Sequence, residues 1–343
     1  MADQAQQAER AGGPPITALA MGAEVAARAF PPDLRERLSA HVELAPGVLT
    51  GPLTGPAARA VLAGAEILVT GWECPPLTPE VLAYAPRLRA VVHAAGSVKA
   101  LVTEAVWERG IVVSSAADAN ADPVVAFTLA AITFAAKGAL RAAAGYVDGW
   151  PSFAERAGAD GCTVGVIGAS RIGRRVIAAL RACGAGYRVL LTDPYVTPAE
   201  AASLGVELAP LPELCARSGV VTVHAPQLPE TRGLLSEAML KLIPDGGSVI
   251  NTARGSLVDT EALARECGAG RLDAFLDVTD PEPLPAGHVL LRLPNVLVTP
   301  HIAGAQGSEV RRLGEYAVAE VERYVAGVPL RGRLLRKDLR RVA

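Results

Sequence analysis

Cysteine is scarce in this chain and poorly placed for its structural uses. The five thiols, Cys74, Cys162, Cys183, Cys215 and Cys267, are scattered, with no C-x-x-C pair. An odd, dispersed set excludes a disulfide framework and fits a reducing compartment. No His, Cys and Asp cluster has metal-ligand spacing, so no catalytic metal is expected. There is no G-x-S-x-G element and no nucleophilic cysteine context. Charge of one sign is also missing: 33 basic residues face 35 acidic ones, a net charge of −2. That balance offers no attraction to nucleic acid or to an anionic membrane, and neither is expected as a partner. The longest apolar run, Val124 to Ala136, stops at Lys137 and is too short to cross a bilayer, so it reads as a buried helix. Met1-Ala-Asp-Gln-Ala-Gln-Gln is polar and lacks the charged-then-apolar pattern of a signal peptide, so a cytoplasmic location is expected. Internal repeats and low-complexity tracts are absent too.

What is present is a long, apolar, small-residue chain. Half of its 343 residues are hydrophobic, enough for two domains with cores of their own. Short apolar runs alternate with helical stretches. The first series of strands is Ile16–Met21, Ile67–Thr70, Leu88–Val92 and Ile111–Ser114, with helices predicted at Thr78–Tyr84 and Thr103–Arg109. A mostly apolar helix is predicted from Asp122 to Leu140, with Asp122 as its cap and Pro123 in its first turn. A second series follows at Thr163–Ile167, Arg188–Thr192, Val220–His224, Ser248–Asn251, Leu272–Val278 and Val296–Thr299, and a final helix is predicted from Ser308 to Ala326. This alternation predicts an α/β protein of two doubly wound parallel-sheet domains, each covered on both faces. The expected division is residues 1–121 plus 307–343 for one domain and 122–306 for the other. The basic stretch Arg331 to Arg341 reads as a solvated tail.

Chemistry-bearing residues gather at the ends of these strands, where open α/β sheets bind ligands. Gly168-Ala-Ser-Arg-Ile-Gly173 lies between a strand and a helix expected from Ile172 to Ala182. Gly168 permits the tight turn, Gly173 lets the helix lie close to the sheet, and the helix-start N–H groups can hold a pyrophosphate. Ser170 stands where the middle glycine of such a turn is usual. The competing reading is a tight strand–helix turn with no ligand. Asp193 closes the next strand, where an acid accepts hydrogen bonds from a ribose diol and repels a 2′-phosphate, which favours NAD over NADP. Its alternative is an N-cap or turn aspartate before Pro194.

Three further polar residues follow strands in order: Arg254 in Asn251-Thr-Ala-Arg-Gly255, Glu282 in Asp277-Val-Thr-Asp-Pro-Glu-Pro283, and His301 in Thr299-Pro-His-Ile302. A guanidinium recognises a carboxylate with two prongs. An imidazole exchanges protons near neutral pH, and a carboxylate beside it favours the charged form. Downstream of a dinucleotide turn, this trio is what hydride transfer to a 2-oxo acid needs. The alternatives are a surface salt bridge for Arg254 and a structural pair for Glu282 and His301. His224 reads equally as a cofactor-cleft residue or a packed strand-end histidine, while His41 and His288 read as surface residues.

These motifs resemble the D-isomer-specific 2-hydroxyacid dehydrogenases. The matching pieces are the glycine turn, Thr192-Asp-Pro194, His224-Ala-Pro226 with Pro229-Glu-Thr-Arg232, Asn251-Thr-Ala-Arg-Gly255, Leu276-Asp-Val278 with Glu282-Pro283, and Thr299-Pro-His-Ile302, over roughly Ala65 to Gly327. The resemblance implies two similar Rossmann-like or flavodoxin-like domains with the active site in the cleft, the cofactor domain inserted in the middle, and NAD as cofactor. It implies that Arg254 binds the substrate carboxylate, that His301 is the acid/base, that Glu282 supports it and that Asp277 holds the nicotinamide carboxamide. Gly168, Ser170, Arg171, Ile172, Gly173 and Asp193 become cofactor contacts, with His224, Ala225, Pro226 and Thr231, and then Thr252, Ala253, Arg254, Asp277 and His301. A homodimer joined through the cofactor domains is implied, with the apolar helix after Asp122 fitting that role. A non-enzymatic NAD-binding sensor or corepressor-like module is the alternative of a different class.

Departures bear on the substrate. The loop His93-Ala-Ala-Gly-Ser-Val-Lys99 has Val98 and Lys99 where an acid and an amide are common in the family. Backbone N–H groups around Ala95, Gly96 and Ser97 can still bind a carboxylate. His93 and Lys99 are open to two readings: contacts to a further acidic group, or a packed histidine and a solvated lysine. Phe127 stands where the family has Glu, and Gly219 where it has Asp.

Overall fold

The computed structural model describes residues 13–340. It divides into two compact units. One runs through Ala121 and is rejoined by Ala305–Leu339; the other is Asp122–Gly304.

The first unit holds a six-stranded sheet in the order β13-β5-β4-β3-β1-β2. Its strands are β1 (Ile16–Ala20), β2 (Glu43–Leu44), β3 (Ile67–Thr70), β4 (Ala90–His93), β5 (Val112–Ser115) and, from the returning chain, β13 (Arg333–Leu334). All neighbours are parallel except β13, which runs antiparallel to β5. β3 and β4 are buried at every position, as runs such as Ile67-Leu-Val-Thr70 demand when helices cover both faces. The helix Val310–Val325 inserts Leu313, Ala317 and Val321 into a core with Leu19, Met21, Val69 and Val92. Gly314 lets this helix touch the backbone of Ala29, in space a Cβ would occupy.

The second unit holds a seven-stranded, fully parallel sheet in the order β12-β11-β10-β9-β6-β7-β8. Its strands are β6 (Thr163–Ile167), β7 (Arg188–Thr192), β8 (Glu207–Leu208), β9 (Val220–Val223), β10 (Ser248–Asn251), β11 (Asp273–Leu276) and β12 (Val296–Val298). One face packs Leu214, Leu235, Val249, Leu257 and Leu263; the other packs Ile132, Val164, Val166, Ile177 and Leu180. Chain order reverses between β6 and β9, and that is where a doubly wound sheet opens its ligand crevice.

Three expectations are corrected. The apolar helix spans Ala117–Ala136, so it begins five residues before Asp122, places Pro123 in its interior and ends before Gly138, whose φ is +59°. Asp122 is not a cap; it pairs with Arg175 at 3.4 Å. At 20 residues the helix has the length and apolar composition of a membrane span, but Ala131, Ile132, Ala135 and Ala136 belong to the second unit's core. The basic stretch is solvated as expected, with Arg331, Arg333, Arg336 and Lys337 exposed, but its backbone is tied down; Arg341 lies outside the described residues. β13 adds to the sheet edge, and buried Glu320 accepts hydrogen bonds from the Arg331 and Gly332 N–H groups and from the Ser114 hydroxyl. The two-residue strands β2, β8 and β13 escaped sequence reading because two residues show no periodicity.

Candidate active site

The dinucleotide turn follows β6 directly. Gly168 has φ +96°, and a Cβ there would lie 2.7 Å from the Ala225 nitrogen. The turns after β6 and β9 therefore touch, and glycine is required for both conformation and clearance. Gly173 likewise leaves room for the Gly168 carbonyl. Ser170 is the N-cap of the helix Arg171–Ala182, its hydroxyl accepting the Gly173 N–H at 3.3 Å. The serine at the usual glycine position thus satisfies one helix-start donor. Ile172 N–H stands at the open end with no acceptor among the described residues, where an anion is favoured. These features fit a pyrophosphate.

Asp193 adopts its alternative reading and more. One carboxylate oxygen accepts the Tyr195 N–H at 2.8 Å, and the other accepts the Ala169 N–H at 2.7 Å. The first bond closes a turn around Pro194. The second ties the end of β7 to the glycine turn. Each oxygen retains a second acceptor direction, so a ribose diol still fits.

His224 is buried, with its Nε2 2.9 Å from the Thr222 hydroxyl and its Nδ1 without a partner among the described residues. Burial pulls its pKa down to about 3, so the ring is neutral. It packs beneath the glycine turn, near Gly173. Thr231 donates to the Pro226 carbonyl at 2.7 Å and accepts the Leu228 N–H at 2.9 Å, shaping the loop after Ala225 and Pro226. The Thr252 hydroxyl meets that of Thr128 at 2.8 Å.

Arg254, Glu282 and His301 come from three loops after β10, β11 and β12. Asn251 folds the first: its side chain accepts the Ala253 N–H at 3.0 Å and donates to the Arg254 carbonyl at 2.8 Å. Gly255 then passes so close to the backbone of Thr279 that no Cβ would fit, which brings the Arg254 loop against the one carrying Glu282. The Arg254 guanidinium donates to the Ala253 carbonyl at 2.6 Å. Burial lowers its pKa from the ordinary value and the Glu282 carboxylate opposes that shift. Arginine starts so far above neutrality that the cation persists.

His301 Nδ1 lies 2.7 Å from Glu282 Oε1. An ionised carboxylate only accepts, so Nδ1 carries the proton in this bond. The pair is open: the two side chains are 50% and 41% exposed. His301 has φ +54°, a conformation costly for a residue with a Cβ. Buried Asp277 imposes it. Its carboxylate accepts the Thr299 hydroxyl at 2.7 Å, the Ile302 N–H at 2.8 Å and the Ala303 N–H at 2.9 Å, while its backbone carbonyl accepts the His301 N–H at 2.9 Å. Asp277 is thus the clamp of the histidine turn, a role invisible in sequence. An acid at a strand end, with Thr-Pro-His at the end of the next strand, is the only signal the sequence offers.

In the first unit, His93 ends β4. Its Nδ1 is 2.9 Å from the Thr70 hydroxyl, and its ring also bonds the Ser97 backbone. Burial lowers its pKa to about 4, so it is a packed, neutral histidine rather than a reader of acidic groups. The ring instead braces the loop holding Ala95, Gly96 and Ser97. The N–H groups of Ala95, Gly96, Ser97 and Val98 meet no acceptor among the described residues, which leaves an anion-binding nest. Asn120 lies against Gly96 and accepts the Ala305 N–H at 2.9 Å.

The sequence pattern described as D-isomer specific 2-hydroxyacid dehydrogenase, NAD binding domain, matches residues 129–303. That stretch holds the glycine turn and the whole Arg–Glu–His trio. The chain belongs to this family. A D-3-phosphoglycerate dehydrogenase of Mycobacterium tuberculosis is 36% identical over 251 residues, 72% of this chain and 47% of that protein. The chain therefore spans about half the length of the curated relatives it matches. Among solved structures, TT0316 protein from Thermus thermophilus is 32% identical with a TM-score of 0.74, covering 93% of this chain and all of that one. D-lactate dehydrogenase from Aquifex aeolicus, complexed with NAD and lactic acid, is 27% identical with a TM-score of 0.70, over 90% of this chain and 96% of that one. The residues matched to that NAD-binding domain all lie in the second unit, and NAD is the family's cofactor.

Proposed function

We propose that this family member is an NAD-dependent oxidoreductase acting between small D-2-hydroxy acids and 2-oxo acids. The observation that carries the reading is the His301–Glu282 pair at 2.7 Å, on a turn that Asp277 holds in a strained conformation beside Arg254. Strain preserved by three separate hydrogen bonds points to function rather than packing alone.

When bound, NADH supplies the hydride that the carbonyl carbon of the 2-oxo acid accepts, leaving NAD+. Arg254 holds the substrate carboxylate and polarises the oxo group. Within the first unit, the N–H groups of Ala95, Gly96 and Ser97 are donors suited to a carboxylate as well. His301 Nε2 gives a proton to the oxygen as it gains charge, so the product is the neutral alcohol of a 2-hydroxy acid. Glu282 accepts from Nδ1 and fixes the ring's orientation, so the proton that the ring passes is the one carried on Nε2. Gly168, Ser170, Arg171, Ile172 and Gly173 would hold the pyrophosphate, Asp193 the ribose, and the remaining acceptor capacity of Asp277 the carboxamide. Thr252, Ala253 and the loop of Ala225, Pro226 and Thr231 would line the rest of that site, with His224 beneath it.

The test is NADH oxidation, followed by absorbance, with glyoxylate, hydroxypyruvate, pyruvate, phenylpyruvate and 2-oxoglutarate, NADPH being run in parallel. Turnover with NADH above NADPH is the expected result. Tight NADH binding by fluorescence with no turnover of any 2-oxo acid would overturn the reading in favour of a sensor.

The assembly belonging to this reading is a homodimer joined through the NAD-binding domain. Residues 142–154 are exposed throughout, and Val147, Trp150 and Phe153 are 87%, 76% and 86% exposed. Arg141 anchors the start of this segment to buried Asp273 at 2.8 Å. A fixed arm carrying large apolar side chains into solvent is a surface built for cover. Sedimentation should give the mass of two chains, and Trp150→Ser with Phe153→Ser should give one. Neither nucleic acid nor a membrane has a part in this reading.

A further inference from the structure

The strand order β2-β1-β3-β4-β5 of the first unit reverses between β1 and β3. The residues following these two strands therefore rim the crevice where such a sheet binds ligands. Gly22 follows β1 and Glu73 follows β3, and the two touch: the Glu73 carboxylate occupies the space a Cβ on Gly22 would need. The contact is fixed. Gly22 N–H donates to the Trp72 carbonyl at 3.0 Å, Gly71 N–H to that of Ala20 at 3.2 Å, and Cys74 N–H to that of Gly71 at 3.2 Å. Between these bonds Glu73 has φ +66°, which, with His301, makes two left-handed non-glycine residues among those described. β3 and β4 pair Thr70 with His93, so the Glu73 loop and the amide nest at Ala95–Val98 leave neighbouring strands at the same height.

We propose that Glu73 sets substrate specificity by rejecting a second acidic group, so that the substrates are 2-oxo acids with uncharged side chains. This deepens the 2-oxo acid reading above and rests on it. A carboxylate bound at the nest would bring the rest of the substrate beside Glu73. The charge content of the rim agrees. Residues 21–22, 45–55, 71–78, 94–103 and 116–120, which follow the parallel strands, carry Glu73, Asp118 and a single basic residue, Lys99. Phosphate or a second carboxylate calls for arginine forks or paired cations. His93, the other candidate cation, is buried and neutral. Half-buried Trp72, packed on the first unit's core beside Glu73, offers an apolar surface instead. The relatives named D-3-phosphoglycerate dehydrogenase would then share the family but not the substrate.

The experiment compares kcat/KM for phenylpyruvate and 2-oxoisocaproate with that for 2-oxoglutarate and 3-phosphohydroxypyruvate, in the intact protein and in Glu73→Gln and Glu73→Lys. The native protein should favour the uncharged pair by about tenfold or more, equivalent to about 1.4 kcal/mol. Glu73→Gln should narrow that ratio about tenfold through KM, and Glu73→Lys further. Raising the salt should narrow it in the native protein, because Glu73 is exposed and its field is screened. Equal use of the acidic substrates by the native protein, or a ratio unmoved in both variants, would overturn the proposal. Silence with every 2-oxo acid would instead overturn the underlying reading, and this proposal with it.

Discussion

His301→Asn will reduce turnover of a 2-oxo acid by about a thousandfold, within the range of 10²–10⁴ that a positioned acid/base contributes. NADH will still bind with a dissociation constant within about threefold of the native value, because that range reports loss of proton transfer and not of binding. Asparagine is the informative replacement. His301 sits at φ +54°, and asparagine tolerates the left-handed region, whereas alanine would add strain to a turn that Asp277 already holds. The variant therefore removes the proton donor while keeping the backbone. Glu282→Gln should lose less, since it leaves the imidazole in place and changes only its hydrogen-bond partner across 2.7 Å. Stopped-flow measurement of the hydride step together with NADH titration separates chemistry from binding. If His301→Asn abolished NADH binding, or left turnover within a few-fold of native, the acid/base role would be lost.

Acid will destabilise the protein in a window set by two buried histidines. Burial lowers the pKa of His93 to about 4 and that of His224 to about 3. In the unfolded chain both titrate near the ordinary value of about 6.5. Their folded values are depressed, so both rings are neutral in either state above about pH 6.5 and the full stability is present there. Below it, the unfolded chain gains a proton that the folded chain refuses. Stability then falls by about 1.4 kcal/mol per pH unit for each histidine until the folded values are reached. Between pH 6.5 and 5 that amounts to about 2 kcal/mol from each. The carboxylates whose pKa is lowered by ion pairs, Asp33, Glu207, Glu237 and Glu322, are on the surface and lose their contribution only at lower pH. Urea denaturation at pH 7, 6 and 5 reads the slope. His93→Gln and His224→Gln should each flatten it by about half. A slope that is the same in the double variant would show that other groups carry it.

His93 and His224 also show the limits of local pattern. Each ends a strand, and each was open to two readings. What makes them neutral is enclosure to which segments distant in sequence contribute: Thr70 beside His93, and the glycine turn over His224. Asp193 is similar. Its position after β7 marked it as a ribose ligand or a turn aspartate, and its bond to Ala169 appears only once β6 and β7 lie side by side.

The sequence by itself determined the α/β class, the ten longer strands, the glycine turn, the Arg–Glu–His trio and the family. These are properties of periodicity and of short motifs. A strand buried on both faces must be apolar along its length, and a dinucleotide turn must place glycine where a Cβ would collide. Tertiary structure alone decided where polar groups find their partners. It made Asp277 the clamp of His301, buried Glu320 to hold the returning chain, absorbed Pro123 into a helix and set the Glu73 carboxylate over Gly22. For Asp277 and Glu320 the physical reason is the same. A buried polar atom must be satisfied by whatever passes close to it, and which segment passes is set by the crossing of strands and loops far apart in the chain.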